Sequence, residues 1–242
     1  MRVKKRMAHI SYDYRFLFED GRLEVFDIRL DAATLEPLNP PPKHPRNWTL
    51  LESNKCSHCP LDELEHPHCP LALRLQLLTD RMSGVTSIDN VEVTVTVYER
   101  NITRSATAQE AISSLMGIIT ATCGCPHTVF FKPMARFHLP FANTPETFYR
   151  AASMYMLGQY YRWQAGKNVD MELDGLLDFY SQVAQVNKGI AERLRAERRE
   201  DGTVNAIVLL DMFVKSMPVL IKETLDEFRP LFQPYIDMEM KQ

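Results

Sequence analysis

Val91-Glu92-Val93-Thr94-Val95-Thr96-Val97 alternates apolar and polar residues, and a few positions later Thr107-Ala108-Gln109-Glu110 opens a stretch with a different period. The first pattern sets the valines on one face of a strand and the threonines on the other. The second fits a capping box, in which Thr107 accepts from the third helical amide and Glu110 reaches back to the cap. Ile112, Leu115, Met116, Ile119 and Cys123 then fall on one helical stripe, and Gly124 stands at the position where a helix stops. The change of period predicts strands before this junction and helices after it.

Toward the N-terminus, Tyr12, Tyr14, Phe16 and Phe18 alternate with other residues, Asp20-Gly21 intervenes, and Leu23, Val25, Phe26, Ile28 and Leu30 follow. Asp-Gly between two such runs predicts a β-hairpin. Asn39-Pro40-Pro41-Pro42-Lys43-His44-Pro45 must be an extended connector, because each proline fixes its own φ and lacks a donor. Toward the C-terminus, Thr144-Pro145-Glu146 predicts a helix capped by Thr144 and running through Tyr155 and Tyr160 to about Gly166. Another is expected from near Asp170, with Leu173, Leu176, Leu177, Tyr180, Val183, Ala184, Ile190 and Leu194 on one side and a charged end at Asp201-Gly202. Val204 to Val214 is apolar nearly all round and reads as a buried central helix, ended or kinked at Pro218. Val219 to Met240 reads as a helical pair broken at Pro230 and Pro234. Asp211 and Asn187 are polar residues on apolar faces, and both are expected to find partners inside the bundle.

The expected architecture is α+β: a small antiparallel sheet with a cysteine metal knuckle, packed on a C-terminal helical bundle. Residues 1–104 form the β-rich part and 105–242 the helical part, in one integrated unit. At 242 residues, with 45% hydrophobic and 24% charged residues, the chain falls outside the collagen-like and disordered classes. A net charge of -3 argues against a protein that neutralises many phosphates, and so against nucleic acid as a partner. The basic run Arg2, Lys4, Lys5, Arg6 reads as a solvated terminus, and no continuous apolar stretch follows it to act as a signal peptide. Ala206 to Val214, interrupted by Asp211, is far shorter than the roughly 20 residues of a membrane span. Five cysteines, four of them in close pairs, suit metal or thiol chemistry in a reducing compartment, and the expected location is cytoplasmic.

Cys56-Ser57-His58-Cys59 is a C-x-x-C knuckle whose turn can aim two sulfurs at one ion, and tetrahedral zinc needs two further nitrogen or sulfur ligands. Cys69 is the natural third, because Pro70 can open a helix through Leu71, Leu75, Leu78 and Met82 and leave Cys69 at its cap. For the fourth, Cys125 competes with Cys123, His127 and the local histidines. Cys123 lies on the helix stripe and reads as a small buried hydrophobe, whereas Cys125 lies past the Gly124 stop. The expected ligands are therefore Cys56, Cys59, Cys69 and Cys125, with zinc as the cofactor. An iron–sulfur cluster on the same thiolates is the alternative, since Cys59-Pro60, Cys69-Pro70 and Cys125-Pro126 each set proline after cysteine. Redox catalysis by Cys123 and Cys125 is disfavoured, because a helix C-terminus carries partial negative charge and raises a thiol pKa.

Trp48-Thr49-Leu50, Lys55-Cys56, Cys59-Pro60-Leu61, Cys69-Pro70-Leu71-Ala72, Gly124-Cys125-Pro126-His127, Pro133 to Phe141, Tyr149-Arg150 and Ser153-Met154-Tyr155 together resemble an uncharacterised bacterial family, a domain of unknown function with no assigned activity. The likeness spans most of the chain. It implies a bacterial cytosolic protein built as one unit and carries no reaction, fold or ligand set.

The segment from His127 to Phe141 combines Arg136 and His138 with Pro133, Met134, Phe137, Leu139, Pro140 and Phe141. In extended structure Arg136 and His138 would point the same way and, with Arg150 and His127, could form an anion-binding pocket. Alternatively, these side chains hydrogen-bond loop carbonyls. No G-x-S-x-G, Walker, dinucleotide-binding or H-E-x-x-H motif occurs, and nine glycines leave no room for glycine-rich phosphate loops. The leading expectation is a non-catalytic interaction or regulatory module with a structural zinc, acting on a protein partner or by self-association. The rivals are a small-anion-binding enzyme or sensor using His127, Arg136, His138 and Arg150, and an iron–sulfur or redox sensor.

Overall fold

β1 (His9–Phe18) turns through Asp20-Gly21 into β2 (Leu23–Asp31), as the alternating runs predict. The computed structural model describes residues 8–197 and 201–239, with the side chains of residues 201, 213 and 218–224 outside that description. The basic run Arg2 to Arg6 therefore lies outside the described residues. β3 (Asn90–Val97) pairs with β1, and β4 (Arg100–Thr107) pairs with β3, giving an antiparallel sheet ordered β2-β1-β3-β4. Tyr12, Tyr14, Phe16 and Phe18 of β1 and Val91, Val93, Val95 and Val97 of β3 all point to the buried face. β4 is absent from the sequence reading because it is an edge strand of mostly exposed polar residues with no apolar alternation. It also crosses the expected division at 104/105.

The connector 39–45 carries no helix or strand and bends at Asn39 and at Lys43-His44. Asn39 fastens its start to β2, with Oδ1 accepting from Arg29 N at 2.7 Å and Nδ2 donating to Asp27 O at 2.9 Å. α1 (Pro70–Arg81) begins at its proline with Cys69 as cap, and its Arg74 and Gln76 donate to the carbonyls of Asn39 and His44.

α2 (Ala108–Thr122) starts at the predicted capping box, with Thr107 N donating to Glu110 at 3.0 Å, and Gly124 follows its end at φ 93°, a left-handed conformation that suits glycine. Ten of its fifteen residues are buried, because the sheet covers one side and the C-terminal helices another. α2 is thus the central helix, a role the sequence assigned to 204–214. α3 (Lys132–Arg136) follows a short 3-10 turn at Val129–Phe131, where extended chain was expected. α4 (Thr144–Gln164) is capped by Asn143, one residue before the expected Thr144, in a capping box with Glu146.

α5 (Asp174–Ala196) starts later than expected, because Asp170 caps the preceding turn instead, accepting from Glu172 N, Gly175 N and the Tyr155 hydroxyl. Asp201-Gly202 does not end α5: it opens α6 (Asp201–Phe228). A Cβ on Gly202 would stand 2.7 Å from the Val85 carbonyl, so this glycine marks a close backbone crossing and not a stop. α6 runs on through residue 218 without ending there. Beyond it lie a 3-10 turn at Arg229–Phe232 and α7 (Gln233–Ile236), with Pro230 and Pro234 in their first turns. The fold is α+β. One core runs from Ile10 of β1 through α1 and α2 to Ile190 of α5 and Ile207 of α6, and a second joins Phe148, Tyr155, Leu176, Tyr180 and Met217. Among the described residues, no helix is long and apolar enough to cross a membrane.

Candidate functional site: a thiol cluster beside a buried arginine

Three separate segments meet where the cysteines lie. The knuckle is closed by Cys59 N donating to Cys56 O at 3.0 Å, and α5 passes so near it that a Cβ on Gly189 would stand 2.7 Å from Cys56 Sγ. Cys69 N donates to Thr49 O at 2.8 Å, and Leu50 and His68 form an isolated bridge, which holds the α1 cap against 49–51. The third segment, following α2, is brought to the knuckle by its histidine. His127 stacks on His58 with ring centroids 3.9 Å apart and donates to the His58 carbonyl at 2.9 Å, while its Nδ1 faces the Gln182 side chain at 2.8 Å.

The thiols feel one another. Burial pushes the Cys56 thiol up to about 11, and Cys69, Cys125 and Cys59 push it the same way. Cys125 is likewise raised by burial to about 11, with Cys69 and Cys59 adding to the effect. Cys123 is raised to about 12, first by burial, and its Sγ donates to Thr120 O at 3.2 Å. That sulfur sits in the core, as its place on the helix stripe predicts. Among the described residues, however, no three His, Cys, Asp or Glu side chains stand together as a ligand group for an ion.

Arg193 is the functional residue the sequence reading missed. It belongs to the charged end of the helix the sequence predicts, yet it is 1% exposed. Nη1 donates to the carbonyls of Trp48 (2.9 Å) and Leu50 (2.5 Å), and Nη2 to that of Leu51 (2.9 Å). Among the described residues no carboxylate pairs with it. Burial depresses its pKa, and the groups opposing that are Cys69, Cys56 and Cys59. The available signal was its spacing: Arg193 follows Ile190 by three and Gly189 by four, on the inward stripe of α5.

His127, Arg136, His138 and Arg150 do not form one pocket. The premise of extended structure fails because Arg136 ends α3, from which it donates to the Tyr98 hydroxyl. His127 belongs to the thiol side. His138 Nε2 shares a hydrogen bond with the Tyr14 hydroxyl, and Arg150 Nη2 holds the carbonyls of Met134 (2.8 Å) and Phe137 (2.9 Å). Only His138 and Arg150 line a common cavity. Asn187 and Asp211 depart from expectation too. Asn187 Nδ2 is buried without a hydrogen-bond partner among the described residues, and Asp211 pairs with Lys215 on its own helix at 2.5 Å.

Residues 12–233 match a family described as a domain of unknown function, DUF6901. The chain belongs to this family. The matched stretch contains the cysteine and Pro133–Phe141 segments, so the resemblance to an uncharacterised domain family is supported. No curated protein and no solved structure matches the chain.

Proposed function

We propose that Cys56, Cys59, Cys69 and Cys125 ligate one structural zinc ion, and that this DUF6901 protein is a non-catalytic cytoplasmic module whose sheet half and helical half the ion fastens together. The observation that carries this reading is the buried Arg193 guanidinium, whose neighbouring ionisable groups are cysteines. Four thiolates on one Zn²⁺ leave a net charge of about -2, which is costly to bury unless compensated. Arg193 supplies half of that compensation, and the thiolates supply the negative charge the guanidinium otherwise lacks.

Raised thiol pKa values mean that the metal-free thiols are protonated at neutral pH, so binding zinc releases protons and draws the knuckle toward Cys69 and Cys125. With all four positions held by protein sulfur, no coordination site is left for substrate, which argues for a structural ion. The interaction role is supported by Leu157, Tyr160, Tyr161 and Trp163, all exposed on α4, with the Tyr160 ring against those of Tyr161 and Trp163. Sedimentation at rising concentration checks whether a second copy covers them.

The deciding experiment is elemental analysis with an absorption spectrum on anaerobically purified protein. About one zinc per chain in a colourless sample, lost in Cys56→Ser and Cys125→Ser, is the expected result. Iron with a visible band would replace zinc by a cluster. Metal-free protein that does not take up added zinc would end the reading.

A further inference from the structure

A cavity of about 600 Å³ lies between α2, the segment around α3, α4, α5 and α6. That is the size of a small-molecule site. Ile118, Phe131, Leu139, Val183, Leu210 and Val214 are among the apolar residues of its wall, and the α6 residues among them give 204–214 an apolar face besides the one its neighbours bury.

The polar groups in this wall divide into those already used and those left over. Ser114 is engaged with the Tyr14 hydroxyl and with Phe141 N, and His138 is tied to the same tyrosine. Arg104 and Glu110 pair with each other at 3.6 Å. Two donors remain. Arg150 commits only Nη2 to carbonyls, and among the described residues no carboxylate forms an ion pair with it, the Glu146 carboxylate one turn earlier acting on its charge from farther off. Asn187 is 2% exposed, and its Nδ2 has no hydrogen-bond partner among the described residues. A buried donor left without a hydrogen bond is unfavourable, and an acceptor in the cavity would relieve it.

We propose that this cavity binds a small apolar carboxylate, with the acid group on the free edge of the Arg150 guanidinium, the hydrocarbon body against the Ile118, Phe131 and Val183 walls, and Asn187 Nδ2 donating to a ligand oxygen. The complement of these donors and of a guanidinium without an ion-pair partner is an anionic acceptor, and the apolar walls select one with a hydrocarbon body over a small inorganic anion. The site is independent of the thiol cluster.

Isothermal titration of the full chain with octanoate, decanoate and phenylacetate tests this, with octan-1-ol, octylamine and acetate as controls. At least one of the three acids should bind saturably at one per chain, with each control about tenfold weaker or more. Arg150→Met should lose the preference for the acid over the alcohol, and Asn187→Leu should weaken the acid by about tenfold. Arg150 also holds two carbonyls, so its variant can fail to fold. Asn187→Leu keeps the test sharp, because deleting an unpaired amide should leave the melting temperature unchanged or raised. No binding by any of the three acids overturns the proposal, as does equal binding of octan-1-ol or octylamine. Unchanged acid affinity in folded Asn187→Leu overturns it as well.

Discussion

His138 shows how one buried side chain makes stability depend on pH. Burial pushes its pKa from 6.5 down to about 3, and the nearby Arg150 charge pushes the same way. Below pH 6.5 the unfolded chain takes up a proton that the folded chain refuses until about 3, so the unfolded state binds more protons across that window. Stability from this group is full above 6.5 and is lost as pH falls toward 3. Thermal melts across that range should show the midpoint rising with pH, and His138→Gln, which can still meet the Tyr14 hydroxyl, should flatten the rise. Gly202 gives a steric counterpart. Its hypothetical Cβ lies 2.7 Å from a backbone carbonyl that cannot step aside, so Gly202→Ala should destabilise by about 1–3 kcal/mol in urea titration. Gly189→Ala meets Cys56 Sγ instead and should lower retention of the proposed zinc, checked by metal content after dialysis against chelator.

At the scale of elements, the chain follows local chemistry closely where that chemistry is strong. Thr107 and Glu110 start α2 as their spacing predicts, and Thr107→Ala should cost about 1 kcal/mol in chemical denaturation. Pro70 starts α1, and Asp20-Gly21 turns β1 into β2. The departures have two physical sources. β4 carries no apolar alternation because it is an edge, and α3 replaces an extended segment because proline at its first turn is as compatible with a helix as with extended chain. α5 joins the 48–51 segment through Arg193 alone among its charged residues. Arg193→Leu leaves three buried carbonyls without their donors, and a loss of about 3 kcal/mol in urea titration is expected.

At the scale of the whole molecule, the sheet has no independent core. The inward faces of β1 and β3 are covered by α2, and the same cluster continues into α5 and α6. A fragment ending at residue 104 would expose that face and cut β4 within its run, so it should lack a cooperative melt by circular dichroism. The proposed zinc site links the same parts, since Cys69 caps α1 while Cys125 follows α2. Chelator should therefore lower a single unfolding midpoint for the whole chain and not release one half.

Periodicity, caps and breakers are properties of neighbours in sequence, and from them the strands β1 to β3, the helix starts at 70 and 108, and the α+β class were legible. The Cys56–Cys59 turn was legible, because C-x-x-C geometry is local, while the four-cysteine ligand set is the proposal made above. Arg193 was not legible, since a guanidinium on an inward stripe is distinguished from a solvated one only by the three carbonyls another segment brings to it. The same holds for the cavity. Arg150 and Asn187 lie on different helices, and that both line one cavity, with Asn187 Nδ2 left without a partner among the described residues, depends on how α2, α4, α5 and α6 leave space between them. Burial and partnership are settled by the packing of distant segments, and no local pattern records them.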